Sequence, residues 1–191
     1  GDQSSVLKLF ANIPLGATHQ HEILTMTIQT LLILLSIALP GDTVTVTGTI
    51  NATGYTITVP AGVTLFSSTR ALIYSTSFTP VTGGAPLVQT GGPNVTLSGL
   101  RLRGATGEIT DFDYRRGVSK GVHGNHPALK VVGCEIMWFD MWAVYLYSPD
   151  GAIIEGNYIH NCRNAGYGYG VWVGGSGTKY EGVATIRRNV F

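Results

Sequence analysis

The sequence predicts an all-β solenoid of short strands, closed at its N-terminal end by one short helix. Three observations carry this reading. A six-residue phrase recurs as Leu97-Ser98-Gly99-Leu100-Arg101-Leu102, Val131-Val132-Gly133-Cys134-Glu135-Ile136, Ile154-Glu155-Gly156-Asn157-Tyr158-Ile159 and Ile186-Arg187-Arg188-Asn189-Val190-Phe191. In three of the four copies a small or turn-type residue stands three positions after an apolar one, with Leu100 in that place in the first, and in all four a second apolar residue follows two positions later. The copies begin 34, 23 and 32 residues apart, the signature of stacked coils with loops of different length. Apolar residues within each unit alternate with a period of two, which is strand rather than helix periodicity. Finally, only 12% of residues are charged and 26 are glycine, with threonine and valine abundant, a composition of many short strands and tight turns.

The elements follow in chain order. Residues 1–22 show little pattern and read as an N-terminal arm. Ile23 to Leu39 reads as a helix stopped by Pro40-Gly41. Its centre, Leu31 to Leu35, is apolar on every face, so a second face needs cover from the arm, another subunit or a membrane. Thr25, Thr27, Gln29, Thr30 and Ser36 interrupt it, and a spanning helix needs about 20 mostly apolar residues, so membrane insertion is disfavoured. It lacks a basic flank and is no signal peptide; the expectation is that any export signal has been removed.

Strands are expected at Thr43 to Ile50, Tyr55 to Val59 and Val63 to Ser67, with turns at Asn51 to Gly54 and Pro60 to Gly62. Thr76 to Pro93 reads as a long loop containing a short strand at Leu87 to Thr90. Further strands are expected at Val95 to Arg103, Leu129 to Phe139, Ala143 to Tyr147, Ala152 to Cys162, Gly170 to Val173 and Ala184 to Phe191. Residues 104–128 form the main insertion. Stacking would place Leu97, Val131, Ile154 and Ile186 in one interior column and Leu102, Ile136, Ile159 and Phe191 in another. Asn157 and Asn189 would stack at a turn, in left-handed backbone, with side-chain amides bonding up the stack. Cys134 and Cys162 fall in different stacks and are expected as buried thiols rather than a bridge.

The entry Pro40-Gly41-Asp42-Thr43-Val44 after an apolar helix, followed by Val59-Pro60-Ala61-Gly62-Val63-Thr64-Leu65, resembles the start of right-handed parallel β-helix proteins of the pectate-lyase-like superfamily. The later Gly-Asn-x-Ile and Arg-Asn-Val-Phe phrases resemble that family's coil repeat. The resemblance spans residues 23–191 and implies a right-handed parallel β-helix with an N-terminal cap helix. It is specific for fold and not for activity, because the fold hosts lyases, hydrolases, epimerases, tailspikes and adhesins. The chain stops in mid-repeat at Phe191, so the expectation is a fragment of a longer protein or an end capped by a partner.

A net charge of +1 and the lack of a Lys/Arg-rich run exclude bulk electrostatic capture of nucleic acid. Chemistry is expected in the insertion, which gathers Glu108, Asp111, Asp113, Arg115, Arg116, Lys120, His123 and His126. In a polysaccharide lyase a cation neutralises a uronate carboxylate and a base removes the α-proton. Asp111 and Asp113 would then ligate Ca²⁺, with Arg115, Arg116 or Lys120 as base or carboxylate clamp and His123 and His160 as further catalytic candidates. His123 and His126 are three apart, a spacing open to a metal or to a hydrogen-bonded corner.

An aromatic group, Trp142, Tyr145, Tyr147 and Tyr167 with Arg163, suits the grip of sugar rings. Tyr145 and Tyr147 share a face by alternation, and His160 is expected beside them one coil along. Tyr169 and Trp172 lie nearby. Asp111, Asp113, Asp140, Asp150 and Glu155 form no glycosidase motif, and the glycine run from Gly166 to Gly177 has no phosphate-loop context. Asn51-Ala52-Thr53 and Asn94-Val95-Thr96 are glycosylation sequons. Two functions are therefore expected in competition. One is an extracellular protein binding a polysaccharide or other glycan, lyase-like on acidic polymers. The other is a non-catalytic structural or adhesive subunit that self-associates into an oligomer or filament.

Overall fold

The computed structural model of this chain describes residues 26–76, 85–105, 120–162, 168–174 and 182–191. Among these residues, helix α1, Ile28–Ile37, precedes sixteen strands. The first coil holds β1 (Thr43–Thr45), β2 (Thr49–Asn51) and β3 (Ile57–Val59), and the second holds β4 (Thr64–Phe66), β5 (Leu72–Tyr74) and β6 (Pro86–Thr90). The third holds β7 (Thr96–Ser98), β8 (Arg101–Arg103) and β9 (Lys120–Gly124), and the fourth β10 (Lys130–Val132), β11 (Glu135–Met137) and β12 (Trp142–Leu146). The fifth holds β13 (Ile153–Glu155), β14 (Tyr158–His160) and β15 (Tyr169–Val173), and β16 (Thr185–Arg187) opens a sixth.

Every third strand pairs in parallel. Sheet A runs β1-β4-β7-β10-β13-β16, sheet B β2-β5-β8-β11-β14, and sheet C β3-β6-β9-β12-β15. The molecule is a parallel β-helix with three sheets. Register places Val44, Leu65, Leu97, Val131, Ile154 and Ile186 on successive rungs of sheet A. Ile50, Ile73, Leu102, Ile136 and Ile159 do the same in sheet B. Both predicted columns are therefore present and extend further towards the N-terminus. All members down to the fifth coil are buried, but Ile186 and Phe191, both expected inside, are 42% and 68% exposed on the last rung, where no further described coil covers them. The Val190 bridge to Tyr158 continues sheet B towards Phe191.

The predicted long strands divide in two. Gly99, Gly133, Gly156 and Arg188 each take left-handed backbone (φ 67°, 61°, 64° and 56°) and turn the chain from sheet A to sheet B. One such residue bends the strand without interrupting apolar alternation. The left-handed residue is thus the one before Asn157 and Asn189, not the asparagines themselves. The amide ladder forms as expected: Asn157 Nδ2 donates to Asn189 Oδ1 and to Val131 O, both at 2.9 Å, and Asn157 Oδ1 accepts from Cys134 N at 2.8 Å. Cys134 holds the same corner one coil earlier. Its thiol is pushed up to about 11 by burial, and both cysteines are free.

Three further expectations change. Strand β5 forms where the sequence pattern marks no strand. The expected insertion contains β9, a full rung of sheet C, and residues 106–119 lie outside the described residues. The helix is shorter than predicted: Thr27 caps it by accepting from Thr30 N at 3.2 Å, and residues 1–25 lie outside the described residues. Ile28, Leu31 and Leu35 join the core and cover the first coil, while Ile33, Ile37 and Leu39 are exposed. Among the described residues, no helix is long and apolar enough to cross a membrane.

Candidate functional site

Sheet C carries the strongest cluster. In β6 and β12 exposure follows the order partial, buried, buried, partial, buried. Two consecutive residues point inward, such as Ala143 and Val144, so Trp142 and Tyr145 both face out although three residues apart. Register then stacks Thr58, Gln89, His123, Tyr145 and Trp172 in one outer column, and Pro86, Lys120, Trp142 and Tyr169 in the next.

The rings touch in series. His123 and Trp142 each lie 4.9 Å from Tyr145 between ring centroids, Trp172 lies 6.2 Å from Trp142 and 5.2 Å from Tyr169, and Tyr147 lies 6.2 Å from Tyr145. These separations fall within the range of favourable aromatic pairs. Lys120 Nζ sits 5.4 Å over Trp142 and 5.6 Å over Tyr145, a cation held on ring faces. Burial lowers the pKa of Lys120. Burial, and then the Lys120 charge, bring His123 down to about 4, so the imidazole is neutral at physiological pH. Trp172 and Tyr169 remain 38% and 39% exposed, so the patch opens to solvent at the fifth coil.

Five predicted site residues, Lys120, His123, Trp142, Tyr145 and Tyr147, thus meet on one face, and Tyr169 and Trp172 complete it. His160 does not join them. It lies on β14 in sheet B, because each coil has three strands and β14 precedes the sheet C rung. There its Nε2 is 3.2 Å from Glu135 Oε1, and its ring stacks on Tyr158 with centroids 4.1 Å apart. Asp111, Asp113, Arg115, Arg116, Arg163 and Tyr167 lie outside the described residues. His126 is a corner residue, its Nδ1 3.2 Å from both Thr90 Oγ1 and Thr90 O. Among the described residues no three His, Cys, Asp or Glu side chains are placed to hold a metal.

Reading the sequence missed a second polar group, on sheet B. Arg101 Nε donates to Glu135 Oε2 at 2.6 Å, and Arg70 Nη2 reaches the same oxygen at 3.3 Å. Burial alone would raise the Glu135 pKa, but hydrogen bonds from Arg101, His160 and Arg70 hold it below the usual carboxylate range. The available signal was Leu100-Arg101-Leu102-Arg103, whose alternation puts both arginines outward.

Asp140 is buried at the corner between sheets B and C, and desolvation pushes its pKa up to about 7. The folded state therefore disfavours its charge. The stability associated with the neutral form is complete below about pH 4 and is lost as pH rises through about 7. Asp140→Asn is expected to raise stability at pH 8 on the order of 1–2 kcal/mol and to leave it unchanged at pH 4, as read by urea unfolding at the two pH values.

No protein-family model, curated protein or solved structure matches this chain.

Proposed function

We propose that the outer face of sheet C binds a glycan, and that this chain is an extracellular, carbohydrate-interacting β-helix of the pectate-lyase-like type. The observation that carries the reading is the continuous aromatic surface through Tyr145, Trp142, Trp172 and Tyr169. Sugar rings present apolar C–H faces that pack on aromatic rings, and hydroxyls that bond to polar groups at the ring edges. The side chains stand on parallel strands of a solenoid, so the surface is rigid and costs little ordering on binding. Polar Thr58 and Gln89, bonded to each other at 3.0 Å, extend the same column.

Lys120 lends the site a lyase-like character. Lys120 is the basic side chain standing among these rings, and it is the candidate acceptor for the α-proton of a uronate or clamp for its carboxylate. Incubation with uronate polysaccharides, followed by the ultraviolet absorbance of an unsaturated product, tests that step; absorbance that Lys120→Ala leaves intact would contradict Lys120 as the base. The binding reading has its own test. In a titration against neutral and acidic oligosaccharides, Trp172→Ala is expected to weaken binding at least about tenfold with an unchanged melting temperature. Equal affinity in the folded variant would remove the aromatic face from the account.

A further inference from the structure

Sheet B presents an unmatched cationic row that the sheet C reading does not use. Register puts Tyr74, Arg103, Met137 and His160 in one outer column and Leu72, Arg101, Glu135 and Tyr158 in the column beside it. Arg101 and Arg103 are two residues apart on β8 and share a face, so their Cα atoms are about 7 Å apart. Among the described residues, Glu135 offsets one of the three charges of Arg70, Arg101 and Arg103, which leaves two in excess there.

Arg103 is the informative member. Its guanidinium lies over the Tyr74 ring, with Cζ 4.8 Å from the centroid. Its Nε is buried and has no hydrogen-bond partner among the described residues. A charged donor withdrawn from water and left unmatched is unusual, because no hydrogen bond replaces its lost hydration. The ring fixes the guanidinium plane, so its fork is held ready before any ligand arrives. Arg101 spends its Nε on Glu135, and its terminal nitrogens make no hydrogen bond among the described residues. Two orientationally fixed guanidinium groups on one strand match an acceptor with paired oxygens.

We propose that Arg103 on its Tyr74 platform, together with Arg101, binds an oxyanion: a carboxylate, sulfate or phosphate group. The site lies on a different sheet from the aromatic face and stands whether or not that face binds sugar. The anionic group can be a free inorganic ion or a substituent of an acidic polymer, and the probes separate these sources.

Isothermal titration at low ionic strength, with inorganic sulfate, a uronate oligosaccharide and a sulfated oligosaccharide as probes, tests the site. At least one probe is expected to bind, with affinity falling as salt rises. Sulfate binding identifies a free-ion site; binding of an oligosaccharide without sulfate binding identifies a polymer-borne group. Arg103→Gln is expected to weaken that binding at least about tenfold, and Arg103→Lys, which keeps the charge but not the fork, to fall between. Glu135→Gln, which releases Arg101 from its carboxylate, is expected to tighten it. Trp172→Ala is expected to leave it unchanged, which separates this result from failure of the sheet C reading. No binding by any probe, undiminished binding by folded Arg103→Gln, or weaker binding by folded Glu135→Gln would overturn the proposal.

Discussion

Asn157→Ala is expected to destabilise the protein by about 3–5 kcal/mol, measured by reversible urea unfolding. Asn157 is fully buried at the corner between sheets A and B. Its side chain satisfies Cys134 N, Val131 O and Asn189 Oδ1, and its own backbone N–H donates to Asn189 Oδ1 at 2.9 Å. Alanine removes the side-chain partners and leaves Cys134 N–H and Val131 C=O without them in a region closed to water. Each orphaned group costs about 1–3 kcal/mol. Two such groups, together with the loss of the contact to Asn189, give the expected range. The effect should not be recovered by Asn157→Leu, although Leu100 fills the equivalent position two coils earlier. A leucine there replaces volume but supplies neither a donor nor an acceptor.

The second large effect separates two glycines with nearly identical backbone. Gly99 and Gly156 both turn the chain between sheets A and B, with φ of 67° and 64°. A Cβ on Gly156 would meet nothing within 4 Å, whereas on Gly99 it would lie 2.2 Å from Ser67 O. Arg188 occupies the equivalent place in the last coil with φ of 56°, so a side chain alone is tolerable there. Gly156→Ala should therefore cost only the left-handed penalty, about 1–2 kcal/mol. Gly99→Ala adds the displacement of a backbone carbonyl in the preceding coil, and should cost roughly 3 kcal/mol or more. The difference arises one rung away, where the corner from Ser67 to Ala71 is longer than its successors and brings a carbonyl close. Equal melting temperatures for the two variants would contradict the stacking described for these coils.

The interior columns were legible because repetition states them directly: Leu97, Val131, Ile154 and Ile186 recur at one place in a phrase, and stacking buries the first three while Ile186, on the last described rung, stays exposed. The division of each phrase into two strands was hidden, because a single left-handed residue leaves the alternation intact. Strand β9 was hidden for a different reason. Its inward positions include Gly121, where a Cβ would lie 2.5 Å from Ala143 O and 2.8 Å from the Phe139 ring. Close approach demands glycine there and erases the apolar signal, leaving Val122 alone to mark the strand. His160 lies away from the aromatic face because each coil turns through three sheets, so the strand after β12 in sheet C is β15 and not β14. The salt-bridge group around Glu135 joins Arg70 to a residue 65 positions away, a distance legible only once the loop lengths are known. The aromatic face was partly legible, since Tyr145 and Tyr147 alternate, but the union of Trp142 with Tyr145 depends on the double inward step within β12.

The central functional claim, a glycan seated on the outer face of sheet C, is tested most directly by chemical-shift mapping. The folded, 15N-labelled protein would be titrated with the oligosaccharide that binds best. Shifts are expected in the indole N–H signals of Trp142 and Trp172 and in the backbone amides of β9, β12 and β15, with those of Lys130–Val132 on sheet A unmoved. Saturating binding that leaves both indoles unshifted, or that perturbs sheet A instead, would contradict it.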